Sequence, residues 1–203
     1  MPSAESAGHG STAPPSELDA ELPRFRPTGE ELVHQGWAIT VHSATFVDPA
    51  GVAFERDVVR HPGAVAVVAV TDRESVVLVH QYRPAVDQWV LEVPAGTCDV
   101  PGEPTDRTAH RELAEEAGYA AGDLTLLTRC LITPGFCDEV SWVYLATDLV
   151  AVPVDRQGIE EEYLRVVEIP LDRFDALVDD GTVVDATTIL GVGLARRRLG
   201  AGR

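Results

Sequence analysis

The sequence predicts a mixed α/β or α+β sandwich, on three observations: β-branched runs fill the first half, one strongly charged helical segment interrupts them, and the last third returns to strands before closing in helices. Strands do not alternate regularly with helices, so a doubly wound parallel sheet is not expected. The 203 residues suffice for one medium domain, or a domain with a tail.

Residues 1–22 are rich in Ser, Ala, Gly, Pro and Glu and have no periodic apolar pattern to offset ordering entropy, so a disordered tail is expected there. Strands are expected at Trp37 to Phe46, Phe54 to Val59, Val65 to Val70 and Val76 to His80, divided by turn sequences such as Asp48-Pro49-Ala50-Gly51 and His61-Pro62-Gly63. A short apolar run, Trp89 to Val93, stops at Pro94-Ala95-Gly96. The period then changes. Ala109, Leu113 and Ala117 recur at four-residue steps, predicting a helix over Pro104 to Ala117 with Pro104 in its first turn and Gly118 just past its end. Further strands follow at Leu124 to Ile132, Ser141 to Thr147 and Leu164 to Ile169. A short helix then runs from about Leu171 to Val178, stopped at Gly181, and a last one from about Ala186 to Leu199.

With 33 acidic against 16 basic residues the formal net charge is −17, which argues against a nucleic-acid surface, because affinity for the phosphodiester backbone comes from Lys and Arg. Arg196-Arg197-Arg198 are explained by the negative end of the helix that carries them. A phosphate-bearing small molecule is compatible with this charge only where a few Arg or a bound metal reverse the local field. No apolar run approaches the ~20 residues of a membrane span, and no basic segment followed by an apolar core opens the chain, so a soluble, unexported protein is expected. The three cysteines, Cys98, Cys130 and Cys137, show no paired C-x-x-C spacing, which fits a reducing compartment such as the cytoplasm. The six histidines lack metal-ligand spacing, no G-x-G-x-x-G or P-loop is present, and no Ser or Cys has a nucleophile motif beside it.

The informative element is the charged helix. Glu112 and Glu116 are four residues apart, which puts two mutually repelling carboxylates on one face with Cβ atoms ~5–6 Å apart. Glu115 and Glu116 also occupy the last turn, where the helix dipole disfavours anions by ~0.3–1 kcal/mol each. Arg111 reaches Glu115 across one turn, in the weaker orientation of such a pair. Alone, this string is more often a solvated acidic face, since Glu is a good helix former. The flanking Gly96 and Gly118, the distal Glu103 and an apolar Leu113 on the opposite side favour a metal-binding face. Mg²⁺ suits such a face, because it takes oxygen ligands, keeps several waters and is shared with substrate phosphate; Mn²⁺ suits it too.

Gly96, Glu103, Arg111, Glu112, Leu113, Glu115, Glu116, Gly118 and Tyr119 together resemble the signature of the Nudix hydrolases, with six residues, Thr97 to Gly102, where the usual pattern has five. Gln81-Tyr82-Arg83, Leu91-Glu92-Val93-Pro94-Ala95-Gly96 and Thr133-Pro134-Gly135-Phe136 are similar to the ADP-ribose pyrophosphatase branch, in which a Pro recurs about fifteen residues beyond the box, as Pro134 does beyond Tyr119. The similarity runs from about Val33 to Leu199. It implies an α/β/α sandwich with a mixed sheet over residues 61–203, and over 23–60 an N-terminal antiparallel strand subdomain through which two copies pair.

The resemblance further implies hydrolysis of ADP-ribose to AMP and ribose 5-phosphate, or of another nucleotide sugar or a dinucleoside polyphosphate; a sensor that binds ADP-ribose without turnover is the non-enzymatic alternative. It casts the carbonyl of Ala95 with Glu112 and Glu116 as metal ligands, with Glu162 added. Glu160 becomes the general base, and Glu115 and Arg111 complete the catalytic set. Substrate contacts fall to Trp37, Arg56, Arg83, Gly96 and Glu139. Bland readings stand beside these: a charged surface turn for Glu160 to Glu162, fold-stabilising ion pairs for Arg56 and Arg83, core or dimer packing for Trp37, and plain solvation for Glu139.

Overall fold

The computed structural model describes residues 22–154 and 161–200, which fall into two compact units. The tail expected over 1–22 lies, except for Leu22, outside the described residues.

The first unit, residues 22–61 with Thr133–Asp138, is a three-stranded antiparallel sheet of β1 (Arg26–Gln35), β2 (Thr40–Val47) and β3 (Ala53–Arg60) in the order β1-β2-β3. A parallel bridge from Val59 to Cys137 attaches the 133–138 segment. Arg60 fastens the assembly: it pairs with Glu30 on β1 and donates Nη1 to Asp138 at 3.1 Å, while Asp138 Oδ1 accepts the His61 N–H at 2.8 Å. Strand β1 is absent from the sequence expectation for a physical reason. Pro27 and Gly29 interrupt it, two bulges break its register with β2, and all ten residues are exposed, so no alternation marks a buried face.

The second unit, Pro62–Ile132 with Glu139–Gly200, is built on a mixed sheet ordered β10-β5-β4-β9-β8, with β6 on β5 and β7 on β4. Its strands are β4 (Ala64–Val70), β5 (Ser75–Arg83), β6 (Gln88–Glu92), β7 (Ala95–Thr97), β8 (Tyr119–Leu131), β9 (Val140–Ala151) and β10 (Arg165–Pro170). The β4–β9 pair is parallel and the others are antiparallel. Strand β4 explains the layering. Its side chains alternate between two cores: Val65, Val67 and Ala69 meet Leu113 and Ala117 of α1 (Thr105–Ala117), while Ala66, Val68 and Val70 meet Phe174 of α2 (Phe174–Asp179) and Val192 and Ala195 of α3 (Ala186–Gly200). A strand covered on both faces has no use for a polar residue, hence the unbroken Ala64-Val65-Ala66-Val67-Val68-Ala69-Val70. The result is an α/β/α sandwich.

Several boundaries differ from the sequence expectation: β2 begins at Thr40 and not at Trp37, β9 runs on to Ala151, and three further differences have a local cause. Strand β8 begins at Tyr119, directly after the helix, because pairing with β9 overrides the weak β-propensity of Ala120, Ala121 and Gly122. Ala95–Thr97, which reads as a turn after Pro94, is drawn into a short strand by β4. The segment from Leu171 opens as a 3₁₀ turn, Leu171–Arg173, before α2. Arg196 pairs with Asp175, joining α3 to α2.

Candidate active site

Helix α1 starts after Pro104, whose φ of −64° and ψ of 143° suit an entry, and ends at Gly118, whose φ of 72° is the left-handed conformation glycine adopts without penalty. Between these ends the helix buries an unusual set: Ala109, Leu113 and Ala117 with no more than 5% exposure, but also Glu112 at 9% and Glu116 at 4%. The expectation that Leu113 lies opposite the carboxylates needs correcting. At 100° per residue Leu113 is a neighbour of both, so the buried stripe runs from an apolar edge straight into an anionic one.

The anionic edge faces β7. Ala95 donates its N–H to Glu116 Oε2 at 3.0 Å. A strand residue points its N–H and C=O to the same side, so the Ala95 carbonyl also leaves the β4 edge and turns toward α1. Gly96 makes room for the second carboxylate: a Cβ there would lie 2.0 Å from Glu112 Cδ. An alanine at this position would force the Glu112 carboxylate to move.

Arg111 organises the rest. Its Nη1 lies 2.7 Å from Glu112 Oε1 and 3.1 Å from Glu115 Oε2, and its Nη2 lies 3.4 Å from Glu103 Oε2. Burial opposes its charge, but Glu112, Glu115 and Glu103 together outweigh that and raise its pKa above the ordinary arginine value. Glu103 also accepts the Thr108 hydroxyl at 2.9 Å. The longer six-residue loop therefore still returns Glu103 to the helix, helped by a turn at Val100–Glu103 in which Gly102 takes a φ of 77°.

Arg83, at the end of β5, donates Nε to both oxygens of Glu92 at 2.9 and 3.1 Å, and Gln81 Nε2 donates to Glu92 at 3.3 Å. The hydrogen bond donated to Glu92 leads in raising the Arg83 pKa, working against burial, and the negative charges of Glu92, Glu116 and Asp185 add to it. The ion-pair reading of Arg83 is thus realised, with its guanidinium in the field of Glu116.

The remaining expected residues lie on other elements or outside the described residues. Glu139 precedes β9 and its carbonyl accepts the Ile132 N–H at 3.3 Å. Glu162 is exposed on the 3₁₀ turn Glu161–Tyr163, and Glu160 lies outside the described residues. Trp37 and Arg56 belong to the first unit. Trp37 is fully exposed in the β1–β2 connection, and Arg56 lies over the Phe54 ring, 4.9 Å from its centre. Sequence reasoning missed Glu92, a charged residue inside an apolar run, and Asp185, whose place just before a helix is an N-cap signal; Asp185 Oδ2 accepts the Thr188 N–H at 2.7 Å.

The donor set fits a hard divalent ion. Two buried carboxylates and a carbonyl edge converge beside a glycine, although among the described residues no group of three or more His, Cys, Asp or Glu is placed to hold a metal ion. A donor set of two carboxylates and a carbonyl would suit an ion shared with water and phosphate, and it is unlike a closed zinc site. A cavity of about 420 Å³ lies elsewhere, lined by Thr71, Glu74, Asp148, Leu171, Arg196 and Leu199 at the far end of β4 from Ala95, and holds none of these groups.

Comparison with known proteins agrees with this geometry. The Nudix domain family model matches residues 60–186. An ADP-ribose pyrophosphatase of Bacillus subtilis is 38% identical over 80% of this chain and 88% of its own length. Another, from Mycobacterium tuberculosis, is 36% identical over 83% of this chain and 81% of its own. A solved structure described as an ADP compounds hydrolase superposes with a TM-score of 0.77 at 26% identity, covering 88% of this chain and 96% of the other. With the family match spanning more than half of its residues, the chain belongs to the Nudix family.

Proposed function

We propose that this chain hydrolyses the diphosphate bond of ADP-ribose to AMP and ribose 5-phosphate, using Mg²⁺, with Mn²⁺ able to replace it. The observation that carries this reading is the burial of Glu112 and Glu116, at 9% and 4% exposure, against the Ala95–Gly96 edge. Buried like charges four residues apart repel each other, and a divalent ion would neutralise them further than the Arg111 guanidinium beside Glu112. Nudix hydrolases generally use divalent ions, and the relatives named above supply the substrate.

Glu112, Glu116 and the Ala95 carbonyl would hold the metal, with Glu162 added from the 3₁₀ turn. Bound there, it would neutralise phosphate charge and acidify a water. Arg111 keeps Glu112 and Glu115 in place. Arg83, fixed by Glu92, directs its guanidinium to the diphosphate, and Gly96 lets the substrate approach the backbone. Glu160 takes the proton of the attacking water. Glu139 orients that water or the terminal ribose. Trp37 stacks on adenine and Arg56 contacts the substrate from the N-terminal sheet. The exposed apolar side chains Leu32 and Val33 of β1, with Phe25 and Trp37 flanking it, support pairing of two copies. Cys98 and Cys130 are thiols outside any disulfide, which supports a reducing, cytoplasmic setting.

A panel of nucleotide sugars and dinucleoside polyphosphates in Mg²⁺ tests the proposal. ADP-ribose should give AMP and ribose 5-phosphate over many turnovers, and Glu160→Gln should lose rate while keeping substrate binding. Preference for another phosphoanhydride would reassign the substrate. Binding without turnover would make the chain a sensor.

A further inference from the structure

The turn Val93-Pro94-Ala95-Gly96, which carries the carbonyl assigned to the metal, is gripped by three different elements. From the sheet, Val67 N–H donates to the Pro94 carbonyl at 2.8 Å. From α1, Glu116 accepts the Ala95 N–H at 3.0 Å. From α3, on the other face, the Thr188 hydroxyl accepts the Val93 N–H at 2.9 Å. Val93 is 1% exposed and lies beyond Glu92, the last residue of β6 paired with β5, so its amide has neither ladder partner nor water. Thr188 is itself fully buried, and Asp185 caps its N–H at 2.7 Å, which fixes the helix end that presents the hydroxyl.

We propose that Thr188 is a positioning residue for the metal site. Through Val93 it sets where the Ala95 carbonyl stands relative to Glu112 and Glu116, and Asp185 holds Thr188 in register. Nothing in the chemistry of hydrolysis requires a threonine on the sheet face opposite the carboxylates. A valine of nearly the same volume would fill the space yet leave the Val93 amide without an acceptor, and the turn would relax toward one that satisfies it. This inference rests on the reading of Ala95, Glu112 and Glu116 as metal ligands, though not on the identity of the substrate.

The test is direct Mn²⁺ binding to the full chain without nucleotide, followed by the free-ion magnetic resonance signal, for wild type, Thr188→Val, Thr188→Ser and Val183→Ala. Val183 is a buried core residue, 1% exposed, that controls for loss of stability alone. We expect Thr188→Val to weaken Mn²⁺ binding about fivefold to tenfold and to lower kcat by a similar factor with KM little changed. Thr188→Ser should restore both, and Val183→Ala should change neither. Wild-type Mn²⁺ affinity in Thr188→Val, failure of Ser to rescue, or equal weakening by Val183→Ala would overturn the inference. A wild-type chain that binds Mn²⁺ but leaves ADP-ribose intact would overturn the substrate reading alone.

Discussion

Helices α1 and α3 cover opposite faces of one sheet, and they do so with different material. Helix α3 presents Gly191, Val192 and Ala195, an ordinary packing surface, beside Thr188, which holds the Val93 amide, whereas α1 presents Ala109, Leu113 and Ala117 beside two buried carboxylates. Both helices bury a stripe. Only one of them buries like charge, and it does so where Gly96 has removed its own side chain to admit Glu112. Thr188 apart, the contrast separates what the sandwich needs for folding from what it carries for chemistry: the α3 face supplies stability, and the α1 face gives some up for a cation site.

Exchanging residues on the two faces should therefore give opposite phenotypes. The largest effect is expected for Glu116→Gln. The amide oxygen still accepts the Ala95 N–H, so thermal stability without metal should be kept or raised, while kcat/KM falls about 10³-fold and metal activation weakens. Steady-state kinetics beside calorimetry checks both halves, and wild-type activity would break the contrast. Gly96→Ala comes next. Its methyl group would displace Glu112, and a misplacement of that size should reduce kcat about 10²-fold. On the other face, Val192→Ala should lower stability by about 2 kcal/mol through the cavity it leaves, with kcat within about twofold of wild type. Denaturant titration and kinetics on the same sample would show it.

The smallest effect reads the electric field of the α1 face. Burial first, then the negative charges of Glu112, Asp99 and Glu103, push the Cys98 thiol up to about 11. Thiolate is the reactive form, so alkylation of Cys98, followed by peptide mass spectrometry, should rise about tenfold per pH unit well past the ordinary thiol midpoint near ~8.5. Glu112→Gln should shift the curve to lower pH. A plateau by about pH 9 would mean that the carboxylates do not act on this thiol.

The two faces also differ in how legible they were. The central strands and α1 were read from the sequence because burial leaves a period: unbroken β-branched runs for β4, four-residue apolar steps for α1. Arg111 to Glu115 was legible from spacing alone, and its 3.1 Å contact lies where an i,i+4 pair belongs. What the spacing hid was that Glu112 and Glu116 are buried beside Leu113, since a carboxylate reads as surface until its neighbour across the fold, Gly96, is known. Strand β1 left no period at all, being exposed along its whole length. Glu92 and Thr188 were invisible for a related reason: each acts through a partner far along the chain, nine residues away at Arg83 and 95 away at Val93.

The claim on which the account turns is that the buried pair on α1 is there to hold a divalent ion. Thermal unfolding in chelator and in saturating Mg²⁺, for wild type and for the Glu112→Gln, Glu116→Gln double variant, tests it most directly. Binding at about a hundredfold above Kd adds about 2.7 kcal/mol, or roughly 5–10 °C in Tm for a chain of this size. The wild type should gain that shift and the double variant should gain none. A wild-type Tm indifferent to Mg²⁺, or an equal shift in the double variant, would contradict the account.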